Sequence, residues 1–215
     1  MPNHVRDHYP GLCLTLGMLT LVIVSGCATT ASSSRTPSAR IEVQEQVGFT
    51  ITEEVRISNE VRMDYDEALR YLEQGNLERG IGMLSTVVET APELAAPRID
   101  LGIAYHLADD LDAAENNLLL ALELNPDHPM AHNELGIVYR KSGRFAEARH
   151  SYEAALATYP GYHYARRNLA VLCDLYLADL NCALANYEAY MATVPGDDEA
   201  SMWIADLRYR LGQGE

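Results

Sequence analysis

Few of the 215 residues have the types and spacings that do chemistry. His128 and His132 stand four apart, a separation that brings two imidazoles to one side of a helix and within reach of one metal ion. Pro129 falls between them where a helix would begin, and no third ligand accompanies them, so the pair reads as structural and no metal is expected. No glycine-rich phosphate loop, nucleophile elbow or zinc motif occurs, and no pair of carboxylates is spaced for acid–base work, so neither a catalytic residue nor a cofactor is expected. The chemistry that remains is recognition. Between positions 140 and 167 lie six basic residues, Arg140, Lys141, Arg144, Arg149, Arg166 and Arg167, against only Glu147 and Glu153. That local excess of +4 sits in a chain of net charge −15, a balance that argues against a nucleic-acid ligand and against adsorption to anionic lipid. Arg144 and Arg149 have a plainer reading, as partners of neighbouring acids.

These residues are positioned by a sentence written twice. Leu101, Gly102, Tyr105, Ala114, Leu118, Ala121 and Pro126 recur 34 residues later as Leu135, Gly136, Tyr139, Ala148, Tyr152, Ala155 and Pro160. Each unit holds two amphipathic helical stretches, broken by a turn such as Ser142-Gly143-Arg144 and closed by a proline that cannot continue a helix. Small residues at the glycine and alanine places let the two backbones approach, and the larger residues fill the gaps on either side. A single hairpin leaves one face bare, so hairpins must stack.

The period and its Gly, Ala and Pro places resemble the tetratricopeptide (TPR) repeat. The resemblance implies an all-α fold, an α-solenoid of about four repeats at 61–94, 95–128, 129–162 and 163–197, with a capping helix over 198–215. The first repeat is degenerate, with Glu67 and Val87 at places where Leu and Ala are expected. The fourth follows the frame only with one extra residue in its turn near Ala178, which lacks the glycine found at Gly75 and Gly143. Cys173 and Cys182 flank that turn. A disulfide across it and two reduced core thiols are both open readings.

The front of the chain is of another kind. An apolar run over 12–24 has signal-peptide length and ends in Val24-Ser25-Gly26-Cys27, which resembles the lipobox of bacterial lipoproteins. The resemblance implies a signal over 1–26, diacylglycerol on Cys27, and, with Ala28 and Thr29 following, delivery to the outer membrane facing the periplasm. Residues 27–40, small and polar with Pro37, then form a flexible tether with a reach of roughly 20 Å. The arm and helical lead-in at 41–60 begin with Ile41, Val43, Val47, Phe49 and Ile51 alternating with polar residues, as in a single strand with no visible partner, and Thr52 is placed to start a helix.

In the TPR resemblance the second, fifth, ninth, twelfth and thirteenth places of a repeat line a concave groove. Those places give Ile99, Ile103, His106 and Leu107, then Asn133, Ile137, Arg140 and Lys141, then Tyr164, Arg167, Val171 and Leu175. The expectation is an apolar floor with a basic rim that holds an extended or helical segment of another cell-envelope protein. Glu134 stands where the carboxylate clamp of chaperone-type TPR proteins needs Asn, so a cytosolic chaperone tail is not the expected ligand. By resemblance the settings are assembly of a pilus or secretion pore, TonB-type transport, or control of a cell-wall enzyme. The membrane is reached by the lipid anchor alone.

Overall fold

The computed structural model describes residues 39–44, 48–53 and 57–213. The expected signal, Cys27 and the tether as far as residue 38 lie outside the described residues.

The alternating stretch differs from its expected form. It is two strands, β1 (Ala39–Gln44) and β2 (Gly48–Glu53), paired antiparallel with Ile41 opposite Ile51 and Val43 opposite Phe49. The arm is therefore folded on itself, and it begins two residues inside the expected tether. The physical reason lies in the pattern, because Ile41, Val43, Phe49 and Ile51 keep one alternation whether the run is a single strand or a folded-back pair, so the two have the same signature. Gly48, where β2 begins, was the available sign of a reversal beside it. Thr52 belongs to β2 and starts no helix; the first helix is capped by Ser58, whose side chain accepts from the Val61 N–H at 3.1 Å.

Nine helices follow among the described residues, in hairpin pairs: α1 (Asn59–Glu73) with α2 (Leu77–Thr90), α3 (Ala95–Leu107) with α4 (Leu111–Leu124), α5 (Pro129–Lys141) with α6 (Phe145–Thr158), and α7 (His163–Leu175) with α8 (Leu180–Thr193), then α9 (Asp198–Arg210) alone. Each helix packs on its sequence neighbours, and the first helices of successive hairpins also touch, α3 with α5 and α5 with α7. That nearest-neighbour pattern is an α-solenoid. Proline sits at the start of α5, where its missing N–H is harmless, and Asn76, Asp110 and Asp179 cap the second helices through their side chains.

The turn inside each hairpin needs one residue in the left-handed region. Gly75 and Gly143 supply it with φ of 76°, while Asp109 (63°) and Ala178 (52°) occupy the same place without glycine's freedom. The first three turns span three residues and the fourth spans four, 176–179. Across this longer turn Cys173 Sγ is bonded to Cys182 Sγ, with Cα atoms 5.8 Å apart. A large core runs from α3 to α9, around Leu118, Tyr152, Leu172 and Leu207, each with no exposed surface. Two smaller clusters lie at the first hairpin, one around Val61 and Val87 and one around Ala68 and Leu84 that takes in Leu101 of α3.

Candidate partner-binding groove

The inner face of the array is formed by α3, α5, α7 and α9. Its floor contains Ile103, Ile137 and Val171, one per hairpin and each half-buried against the core. Above the floor Leu107, Tyr164 and Leu175 stand open to solvent, at 61, 59 and 69% exposure. Two residues of the expected lining do not line it. Ile99 and Asn133 are 1 and 2% exposed, because at this place the next first helix closes over the side chain. Asn133 Oδ1 accepts from Asn168 Nδ2 at 2.9 Å, which ties α5 to α7, and Asn133 Nδ2 donates to Glu134 Oε1 at 2.9 Å.

Three open apolar residues extend the face beyond the expected set: Met130, Met202 and Tyr209. Their signal was present in the frame. Met130 holds the second place of the third repeat, and Met202 and Tyr209 hold the fifth and twelfth places once α9 is read as a first helix. Aliphatic and aromatic groups of this size left open along one face are the usual mark of a docking surface.

The six basic residues divide. Arg144 reaches both Glu115 oxygens at 2.8 Å and Glu147 at 3.1 Å, and lies 4.2 Å over the Tyr139 ring. Arg149 joins Glu153 at 3.0 Å and Asp179 at 3.4 Å. These two link successive second helices, as the plainer reading had it. Arg166 donates to the Pro160 carbonyl and to Asn186 Oδ1. Only Arg140, Lys141 and Arg167 belong to the inner face. Lys141 lies 3.6 Å from Asp109; Arg167 lies 3.5 Å from Glu199, with its guanidinium 5.3 Å from the centre of the Trp203 ring. Arg140 lies over the Tyr176 ring at 5.8 Å. Half-burial lowers the pKa of His106, and the positive charges of Lys141 and Arg140 lower it further, so its imidazole is neutral at pH 7. Burial raises the pKa of Glu134, against the hydrogen bond from Asn133.

His128 and His132 are used structurally. His128 Nδ1 accepts from the Ala131 N–H at 3.4 Å and caps α5, while His132 Nε2 lies 2.8 Å from the Pro126 carbonyl. Cys173, Asp179 and Cys182 cluster closely enough to hold an ion, but both sulfurs are committed to their disulfide, and Asp179 caps α8 and meets Arg149.

Across residues 65–129, 108–163 and 133–175 the sequence matches the profile of the tetratricopeptide repeat. The chain belongs to the tetratricopeptide repeat family. Among curated proteins, 86 residues are 28% identical to the anaphase-promoting complex subunit CDC16 of Saccharomyces cerevisiae and 93 residues are 36% identical to tetratricopeptide repeat protein 21B of Homo sapiens. Each match takes in 40% of this chain but only 10 and 7% of those much longer proteins. Among solved structures, MamA from Desulfovibrio magneticus RS-1 superposes with a TM-score of 0.65 at 20% identity, over 74% of this chain and 89% of that one. PilF of Pseudomonas aeruginosa gives 0.65 at 20% identity over 71 and 69%. At such identities the likeness is one of fold. The TPR array is a protein-interaction scaffold, and its inner face carries the open apolar residues described above.

Proposed function

We propose that this TPR chain is a periplasmic adaptor, anchored to the outer membrane through lipid on Cys27, whose inner face holds an extended or helical segment of another envelope protein during assembly of a pilus, secretion or TonB-type transport complex. The observation that carries the binding reading is the run of open apolar side chains on successive first helices, with Leu107, Tyr164 and Leu175 more than half exposed. Apolar contact supplies most of the affinity of such a groove, and the charges beside it select the partner and speed its approach. The likeness to PilF in fold is compatible with the pilus setting. The lipobox-like Val24-Ser25-Gly26-Cys27 supports the anchor. No enzymatic activity of its own is assigned.

The experiment is site-specific photo-crosslinking in intact cells. A photoreactive residue at Leu107, Tyr164 or Leu175 should give the same adduct with one envelope protein, and a probe at Leu119 on the second helix α4 should not. Equal adducts from both faces, or none from the inner face, would overturn the groove. Cys27→Ser, expected to leave the precursor uncleaved at this site and out of the outer-membrane fraction, tests the anchor separately.

A further inference from the structure

Arg140 is the one cation of the inner face with no carboxylate partner among the described residues. Lys141 has Asp109, Arg167 has Glu199, and Arg210, at the thirteenth place of α9, has Asp174 and Asp206. On the other surfaces Arg144, Arg149 and Arg208 each have at least one acid, while Arg79 and Arg166 have none among the described residues. Acids are not scarce, since the chain has 31 of them. Arg140 instead stands over the Tyr176 ring and beside the Tyr152 hydroxyl. Arg140 Nε and Tyr152 Oη are both buried, and although the two side chains are neighbours, neither of these atoms has a partner in good hydrogen-bond geometry among the described residues; Tyr152 as a whole has no exposed surface. A partly desolvated guanidinium without a counter-ion costs free energy that a ring face offsets only in part. The acid in the neighbourhood, Glu134, makes no ion pair with it; its carboxylate is engaged by Asn133, and burial weakens its ionisation.

We infer that Arg140 is the seat for a carboxylate on the docked segment, an Asp or Glu side chain flanked on both sides by apolar residues. The inference rests on the groove reading above and adds to it the chemistry of the occupant. Open apolar residues lie on both sides of Arg140, Leu107 towards α3 and Leu175 and Tyr176 towards α7, so a segment laid along the face continues past the guanidinium in both directions. That places the charge inside the segment and not at a chain end. A guanidinium offers a planar pair of donors to such a carboxylate, and the positive charge of Lys141 next to it adds to the attraction.

The test uses the full-length chain in detergent micelles against a displayed library of random 12-residue peptides tethered at both ends. Enriched sequences should carry Asp or Glu between apolar residues. A synthetic, end-blocked copy should lose about tenfold in affinity when its acid is changed to Gln, and the acidic and Gln copies should bind Arg140→Gln equally well. Arg208→Gln, which breaks a pair on another surface, should keep the full preference. Arg140→Lys, which keeps the charge and loses the paired donors, should keep part of it and guards against a folding defect in the first variant. Enriched peptides whose Gln copies bind as tightly as the acidic ones, or that need a free C-terminal carboxylate, would overturn the seat and leave the groove standing. Enrichment of no sequence would overturn the groove and the seat together.

Discussion

The ring of Tyr152 on α6 lies so close over Gly136 on α5 that a Cβ at position 136 would come within 2.5 Å of Tyr152 Cε1. The ring is fully buried and has nowhere to retreat. Gly136→Ala should therefore destabilise the fold by about 1–3 kcal/mol through overpacking. Gly82, by contrast, is an exposed glycine within α2 with nothing near its added Cβ. Gly82→Ala should stabilise by about 0.5–1 kcal/mol. Urea melts of the two variants should move in opposite directions.

Ala178 holds a left-handed conformation that glycine holds in two of the sibling turns. Ala178→Gly should raise stability by up to about 1 kcal/mol. The disulfide across the same turn closes a short loop, and replacing Cys173 and Cys182 by Ala and Ser should cost about 2–3 kcal/mol. Alkylation of the non-reduced protein should find neither of these thiols free; two labelled thiols would remove the bridge.

His128 sets an acid limit. Burial, with a smaller contribution from the positive charge of His132, lowers its pKa from 6.5 to about 4. The folded pKa is below the unfolded one, so the stability this group contributes is complete above about pH 6.5 and is lost as pH falls through 4. By pH 5 the loss from His128 is roughly 2 kcal/mol. His128→Asn keeps an acceptor for the Ala131 N–H without a titrating ring. Its melting temperature should fall less between pH 7 and pH 5 than that of the wild type, and an identical fall would show that other groups govern the limit.

Leu107 and Leu175 are 61 and 69% exposed. Changing both to Ser should alter stability by less than about 0.5 kcal/mol, since little packing is lost. Loss of the in-cell adduct formed from a probe at Tyr164, with the melting curve unchanged, would be the signature of a binding surface.

The solenoid was legible in the sequence because its pattern is local and repeated: Gly102, Ala114 and Pro126 return as Gly136, Ala148 and Pro160, and each return marks the same contact. The groove was legible in part. Repeat places identify which residues point inward, and so Ile103, Ile137 and Val171 form the floor. Place alone does not tell how far the next helix overlaps, and so Ile99 and Asn133 are covered. Nor does it tell which acid meets which base, because Arg144–Glu115 and Lys141–Asp109 join residues about one repeat apart. The strand pairing at 39–53 was hidden because Ile41, Val43, Phe49 and Ile51 keep one alternation through both strands.

The apolar interior is divided. The contacts of the first hairpin form two small clusters beside the large core of α3 to α9; Leu94 and Leu101 carry them onto α3, and the hydroxyl of Tyr65 donates to Asp100 across the same junction. Tension applied between the N-terminal side of the array and a segment held on the inner face has to pass through that junction. The first hairpin has a neighbouring hairpin on one side only and should peel away before the floor deforms, so that the chain lengthens under load while its grip on the occupant is kept.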